Sequence, residues 1–326
     1  MICNVPKKSG GLQVVHAGIM MTNKIFVLGS SNVDLILRIP RFNQPGETIR
    51  ADHLTTVFGG KGANQAIAAK QLGAEVALIT RLGDDHYGRS YRRYLIEKGL
   101  NPKSIFLDKK VPTGIAFIEL DSKGENRIVV APGSNRYLSI DDLRKHPMLF
   151  RNSKIFVTQL EIPFETVTMG LKMAKREGAL TLLNPSPLRP LSTQILSLTD
   201  FLVPNELEAQ SLTGLKIRKK QDLPKIATKL LRMGVKSVVI TLGSKGLFFK
   251  NPYEEIWMEA FKVKVVDTTA AGDAFMGGLA CGLSEGKPIW EALMFANAAG
   301  ALATTKLGAQ PSLPSRKELK RFLKRY

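Results

Sequence analysis

The run Val266-Asp267-Thr268-Thr269-Ala270-Ala271-Gly272-Asp273-Ala274-Phe275 reads as the end of an extended segment, a patch of small residues, and the start of an apolar helix. Ala270, Ala271 and Gly272 carry little or no side chain. Their backbone N–H groups, gathered at a helix N-terminus, can approach an anion closely, and the helix dipole favours negative charge there. Asp273 would then sit beside a bound phosphoryl group. Its carboxylate could take the proton of an attacking hydroxyl while the amides stabilise charge on the phosphoryl oxygens, which is the chemistry of a kinase. The same spacing also fits an Asp that only complements the dipole of an ordinary helix.

A second run, Phe58-Gly59-Gly60-Lys61-Gly62-Ala63-Asn64-Gln65-Ala66, has the look of a phosphate loop but lacks both the four-residue gap before Gly-Lys and the following Ser or Thr of a Walker A motif. Glycines here suit a backbone lying against a flat polyol, with Lys61 and Asn64 as directional hydrogen-bond donors. A Gly-rich strand-to-helix turn without any ligand is the simpler alternative.

These residues need a scaffold. From Lys24 onward, short β-branched runs at 25–28, 76–80, 155–157, 179–183, 201–203 and 237–241 alternate with amphipathic stretches at 63–72, 87–98, 167–176 and 226–233, and helical patterns follow Ala274. This βαβ rhythm predicts an α/β fold: a three-layer, doubly wound, mostly parallel sheet. Two segments break it, at 33–58 and 113–130; in the second, 114–120 and 126–130 are joined by the turn-like Asp121-Ser122-Lys123-Gly124. Strands inserted there cannot all join the parallel sheet, so they are expected to form a small projecting β-sheet that acts as a lid.

The totals leave room for one large α/β domain. The chain has 326 residues, 44% of them hydrophobic, and no apolar run long enough to span a membrane, so a soluble, cytoplasmic protein is expected. Cys3 and Cys281 lie far apart without metal-ligand spacing. Against 28 acidic residues stand 47 basic ones, a net charge of +19 that would suit nucleic acid, an anionic surface or an anionic substrate. The basic clusters at 216–220 and 316–325 read as solvated faces. Residues 1–23 hold no Asp or Glu and read as a disordered extension or as the product of an upstream start codon, with Met20 or Met21 as the real beginning; the kinase domain is expected over 24–326.

Several dispersed motifs occur in the order found in one family. Gly29-Ser30-Ser31-Asn32-Val33-Asp34, the 59–64 turn, Gln159-Leu160-Glu161, Asn184-Pro185, Asn205-Glu206-Leu207-Glu208, Thr241-Leu242-Gly243-Ser244-Lys245-Gly246 and 267–273 resemble ribokinase-type sugar kinases from about Lys24 to the end. The resemblance implies ATP-dependent phosphorylation of the 5-hydroxyl of ribose. It implies that Asn32, Asp34, Gly60, Lys61, Asn64 and Glu161 bind sugar hydroxyls and that Asp273 removes the proton. It puts Asn184, the 241–246 turn, Gly272 and Asn297 on the nucleotide side, and links Asn205 and Glu208 to Mg²⁺ and phosphate placement. It also implies a monovalent cation, K⁺, at Asp267, Thr269, Ala303, Lys306, Gly308 and Ser312.

The departures are Asn297 in place of a familiar His, and Ser186 and Ser134 where Ala is common. Deoxyribose, another small sugar or a nucleoside remains the alternative substrate, although Phe42, Phe58 and Phe117 are the only lid aromatics noted for stacking a base. A nucleic-acid-binding protein is the alternative of another class; it would need basic residues gathered on one face with aromatics between them, and aromatics make up 7% of the chain. A small projecting sheet needs cover for its exposed face, so a homodimer joined through the lids is expected.

Overall fold

The computed structural model describes residues 24–123 and 125–326. The expected extension at 1–23, including Cys3, and Gly124 of the 121–124 turn lie outside the described residues. The chain opens with β1 (Lys24–Leu28), β2 (Asn32–Arg38), β3 (His53–Gly59), α1 (Lys61–Gln71), β4 (Glu75–Gly83), α2 (His86–Glu97), β5 (Ile105–Asp108), β6 (Gly114–Leu120) and β7 (Asn126–Ala131). Next come α3 (Ile140–Arg144), α4 (Pro147–Arg151), β8 (Ile155–Thr158), α5 (Phe164–Arg176), β9 (Leu180–Leu183), α6 (Thr193–Ser197), β10 (Phe201–Leu202), α7 (Glu206–Thr213) and α8 (Leu223–Arg232). It closes with β11 (Ser237–Thr241), β12 (Leu247–Lys250), β13 (Glu255–Met258), α9 (Ala271–Ser284), α10 (Ile289–Ala303) and α11 (Arg316–Leu323).

Nine strands form one sheet in the order β13-β12-β11-β10-β9-β8-β1-β4-β5. It is parallel from β5 to β11, and β12 and β13 add an antiparallel edge. β1 shows why both faces must be covered. Ile25 and Val27 enter one apolar cluster, beside residues of α1, α9 and α10, while Phe26 and Leu28 enter the other, beside α5 and α8. An unbroken apolar run is what a strand buried on both faces requires. β5, β12 and β13 are not marked by the pattern: β12 and β13 form a hairpin added antiparallel to β11, outside the strand–helix alternation, and β5 is a half-buried strand at the opposite edge.

The second sheet has the order β3-β2-β6-β7, with β2 parallel to β6 and the other pairs antiparallel. It corresponds to the two segments that interrupt the βαβ rhythm. Its strands leave the main domain at Asn32 and return at Gly59, both at the C-terminal end of β1, where ligands bind in open α/β sheets.

α1 and α9 start at that same end and pack closely. A Cβ on Gly277 would lie 2.5 Å from the Ala68 Cβ and 2.8 Å from the Ala69 amide nitrogen, so only a bare α-carbon fits. One turn earlier on each helix stand Asp273 and the pair Asn64–Gln65. Gly277→Ala should therefore overpack the contact, cost about 1–3 kcal/mol, and lower the melting temperature while loosening the Asp273 contacts. An unchanged melting temperature would show that the helices can part freely.

Candidate active site

Asp273 lies in the first turn of α9 and is buried. Both of its oxygens are held from α1: Asn64 Nδ2 donates to Oδ2 at 2.9 Å and Gln65 Nε2 to Oδ1 at 3.0 Å. Burial pushes its carboxyl above the usual carboxylate range, opposed by the charge of Lys61 and by the two amide donors. A carboxylate so placed is a stronger base than a solvated one, while the donors keep it ionisable.

The small residues before it take a specific shape. Ala270 caps α9 with φ 58° and is the non-glycine residue with positive φ among the described residues. That left-handed turn aims the first amides of the helix outward at a cost of about 1 kcal/mol. The Ala271 amide already donates to the Thr268 carbonyl at 3.2 Å. Gly272 faces open space, since a Cβ built there would meet nothing within 4 Å. Its amide has no acceptor within the helix by position, so Gly272 rather than Ala271 presents the free donor.

On the lid side, Asn32 and Asp34 are buried on β2, Gly60 precedes α1 with φ 89°, and Lys61 opens that helix. Glu161 accepts from the Lys61 amide at 3.2 Å and from the Ser30 hydroxyl, and the Ser30 oxygen accepts from the Gly62 amide at 3.4 Å. Gly59 has a local reason to be glycine: a Cβ there would run into the Asp34 carboxylate. At Gly60 a Cβ would meet the Asn32 amide nitrogen at 2.6 Å. The Lys61 ammonium resists charge through burial, but Asp273, Glu161, Glu208 and Asp34 outweigh this and hold its pKa above the ordinary lysine value. Asn32, Asp34, Lys61, Asn64, Glu161 and Asp273 thus form one cluster of donors and acceptors.

Two cavities adjoin at Asp273's helix. The first, about 240 Å³, is lined by Lys61, Asn184, Ser186, Asn205, Glu208, Thr241, Ala270, Gly272 and Asp273 among others. The second, about 440 Å³, is lined by Thr241, Gly243, Ser244, Gly246, Gly272 and Asn297 together with the apolar Phe261, Val263, Val265 and Phe275. Thr241, Thr268 and Gly272 border both. A polar end joined to an apolar end suits a molecule with phosphates at one side and a flat ring at the other. Leu242 and Lys245 border neither: Leu242 is buried under the turn, and Lys245 pairs with Glu206 at 3.5 Å. Asn205 and Glu208 form a reciprocal helix cap, Asn205 Oδ1 accepting from the Glu208 amide at 2.8 Å and Glu208 Oε2 from the Asn205 amide at 2.9 Å. Both residues line the first cavity. Burial raises the Glu208 carboxyl above its usual range.

Beside the second cavity, Asp267 ties down a loop. Its Oδ1 accepts from the Thr269 amide at 2.9 Å and hydroxyl at 2.7 Å, and its Oδ2 from the Gly308 amide at 2.8 Å. Burial opposes the charge, but the Thr269 and Gly308 donors hold this carboxyl below its usual range. Lys306 instead turns to Glu318 at 2.7 Å, and the Ser312 hydroxyl donates to Ala309. Among the described residues no three His, Cys, Asp or Glu side chains gather into a metal-holding group. A monovalent cation in this loop would rest on carbonyl oxygens, a donor set that suits a large singly charged ion.

Sequence reasoning assigned no role to Gln65, Ser30, Asn135 or Tyr91. Asn135 accepts from the Ser31 amide at 2.9 Å and donates to Asn32 Oδ1 at 2.7 Å. Tyr91 stacks on Phe58 at 4.3 Å and donates to the Gly59 carbonyl at 2.7 Å. Gln65 directly follows Asn64 in the Gly-rich run, which was the available signal. Ser30 lies within the quoted 29–34 run, whereas Asn135 and Tyr91 come from distant segments. The apolar 261–265 stretch lining the second cavity was also unassigned.

Asp34 supplies a test of the crowding of charge. Burial first, then Glu161 and Asp273, push its carboxyl up to about 7, with Lys61 pulling the other way. The folded value lies above the unfolded one, so the stability carried by that proton is complete below about pH 4 and is lost as pH rises through about 7. Asp34→Asn keeps the shape without the charge. Its unfolding free energy relative to wild type should therefore be higher at pH 8 than at pH 4, by on the order of a few kcal/mol. A difference that is constant with pH would contradict the assigned environment.

Residues 22–316 match the model of the pfkB family carbohydrate kinases. The chain is 40% identical over 303 residues to the ribokinase of Haemophilus influenzae, covering 93% of this chain and 99% of that protein. It is 34% identical over 303 residues to the deoxyribokinase of Salmonella typhimurium, covering 92% and 98%. The structure of Arabidopsis thaliana ribokinase complexed with ribose and ATP superposes with a TM-score of 0.86 at 34% identity, covering 93% of this chain and 99% of that one. The chain belongs to the pfkB family of carbohydrate kinases.

Proposed function

We propose that this kinase transfers the γ-phosphoryl group of ATP to the 5-hydroxyl of D-ribose, giving ribose 5-phosphate and ADP. The observation that carries the reading is the position of Asp273: a buried carboxylate at a helix N-terminus, with a polyol-like set of side chains on one side and a cavity with polar and apolar ends on the other. Asp273 accepts the proton of the 5-hydroxyl, whose oxygen forms a bond to the γ-phosphorus as the bond to the β–γ bridging oxygen breaks and ADP leaves with that electron pair. The Gly272 amide, with the Ala270–Ala271 turn behind it, offsets the charge on the phosphoryl oxygens.

Asn32, Asp34, Gly60, Lys61, Asn64 and Glu161 bind the sugar. Carboxylates accept from its hydroxyls and the ammonium and amide groups donate to them, so a sugar lacking one hydroxyl leaves a buried group unpaired. Asn184, Thr241, Gly243, Ser244, Gly246 and Asn297 line the nucleotide side. Leu242 and Lys245, predicted there, support the turn from beneath and from outside. Asn205 and Glu208 are the residues that would hold Mg²⁺, which would offset charge on the phosphates. A monovalent cation, K⁺, would be held by the loop of Asp267, Thr269, Ala303, Lys306, Gly308 and Ser312.

The domain is 24–326, with β2, β3, β6 and β7 as a lid that excludes water during transfer. Phe117 and its cross-strand partner Val129 are exposed together on one face of that lid. Such an apolar face on an open sheet suits lid-to-lid pairing of two copies, in the cytoplasm. Light scattering at micromolar concentration should give a dimer mass; a monomer would refute the pairing.

Deoxyribose is the second reading, favoured by the deoxyribokinase relative. ADP release should be measured with ATP, Mg²⁺ and K⁺ against ribose, deoxyribose, fructose, adenosine and no sugar. Ribose is expected to give the highest kcat/KM, with a clear fall when K⁺ is replaced by a bulky organic cation. Faster turnover of deoxyribose would transfer the assignment to that sugar, and no sugar dependence would overturn it.

A further inference from the structure

Asp273's two oxygens are held unequally. Asn64, which holds Oδ2, leaves its own Oδ1 buried without a partner among the described residues, aimed into the cluster of sugar-facing groups. It is free to accept from a ligand. Gln65, which holds Oδ1, is committed on both ends: Nε2 donates to Asp273 and, at 3.5 Å, to Asn184 Oδ1, and Oε1 accepts from Gln159 Nε2 at 2.6 Å. Both glutamines are almost completely buried, and neither borders the two cavities. The ionised Asp273 carboxylate only accepts, so Gln65 must turn its NH₂ to it, and Gln159 Nε2 supports that orientation by occupying the Gln65 oxygen, while its own Oε1 has no partner among the described residues. Gly29 leaves the space in which Gln159 lies, because a Cβ there would run into the Gln159 amide.

Resting on the reading of Asp273 as the base, we infer that the Gln159–Gln65 pair is a positioning device that anchors Oδ1 of Asp273 and leaves Oδ2 as the oxygen that takes the proton. Gln65 touches neither sugar nor nucleotide; it acts through Asp273. Without it the carboxylate could rotate, and its charged form would lose a buried hydrogen bond. The other charged groups bearing on Asp273 are Lys61 from α1 and Glu161 from the loop after β8. Asp34 on β2 also faces the cluster, Glu208 on α7 acts on Lys61, and the buried Tyr91 phenol lies on α2. None of these contacts Oδ1.

The test is the pH profile of kcat at saturating sugar, which reports the base within the complex. Gln65→Met keeps the volume and removes the donor. It should lower kcat by about tenfold and move the acid limb up by about 1 pH unit, while the sugar KM stays within about threefold. Gln159→Met, which leaves Gln65 in place but frees its orientation, should shift the limb the same way by less. Asp273→Asn is the control. Wild-type activity in that variant would sink the base itself, whereas an inactive Asp273→Asn beside an unmoved acid limb in folded Gln65→Met would overturn the positioning role alone. If neither glutamine variant folds, the pair belongs to the framework of the core and the inference fails.

Discussion

Everything else in the site depends on burying one carboxylate where two helices begin. Asp273 is withdrawn from water, which disfavours its charge, yet it is supplied with two amide donors from α1 and the nearby ammonium of Lys61. This balance requires α1 and α9 to start at the same end of the sheet and to approach closely, and Gly277 permits the approach. The helix-to-helix contact and the chemistry are therefore one constraint. Moving either helix would leave the carboxylate buried without its donors, which is costly in itself.

The glycines of the 59–62 turn serve the same end from the lid side. At Gly59 the missing side chain makes room for Asp34, at Gly60 the backbone takes a positive φ against Asn32, and Gly62 packs against the Gly29 backbone. The outcome is a dense set of carboxylates around Lys61 in which burial first, and then repulsion from Glu161 and Asp273, raises the Asp34 carboxyl to about 7. Local instability of this kind is common where polar groups are arranged for a ligand rather than for one another.

The elements that carry the chemistry were largely legible in the sequence because each is marked by local residue types: small residues before Asp273, glycines before Asn64, β-branched runs between amphipathic stretches. The lid was legible as an interruption of that rhythm. Of what escaped, β12 and β13 form an antiparallel hairpin added to β11, outside the strand–helix alternation, and Gln159, Asn135 and Tyr91 act through contacts with residues that are distant in sequence. The Asn205–Glu208 pair shows the opposite ambiguity. A helix cap and a phosphate-side pair share one spacing, and here the cap is formed at the rim of the first cavity.

The central claim is that Asp273 serves the chemical step and not the binding of sugar. Its most direct test compares Asp273→Asn with wild type in two measurements on one sample: calorimetric binding of ribose, and single-turnover phosphoryl transfer by rapid quench. The account predicts ribose affinity within a few-fold of wild type and a transfer rate lower by about 10²–10⁴. Transfer at close to the wild-type rate would contradict it.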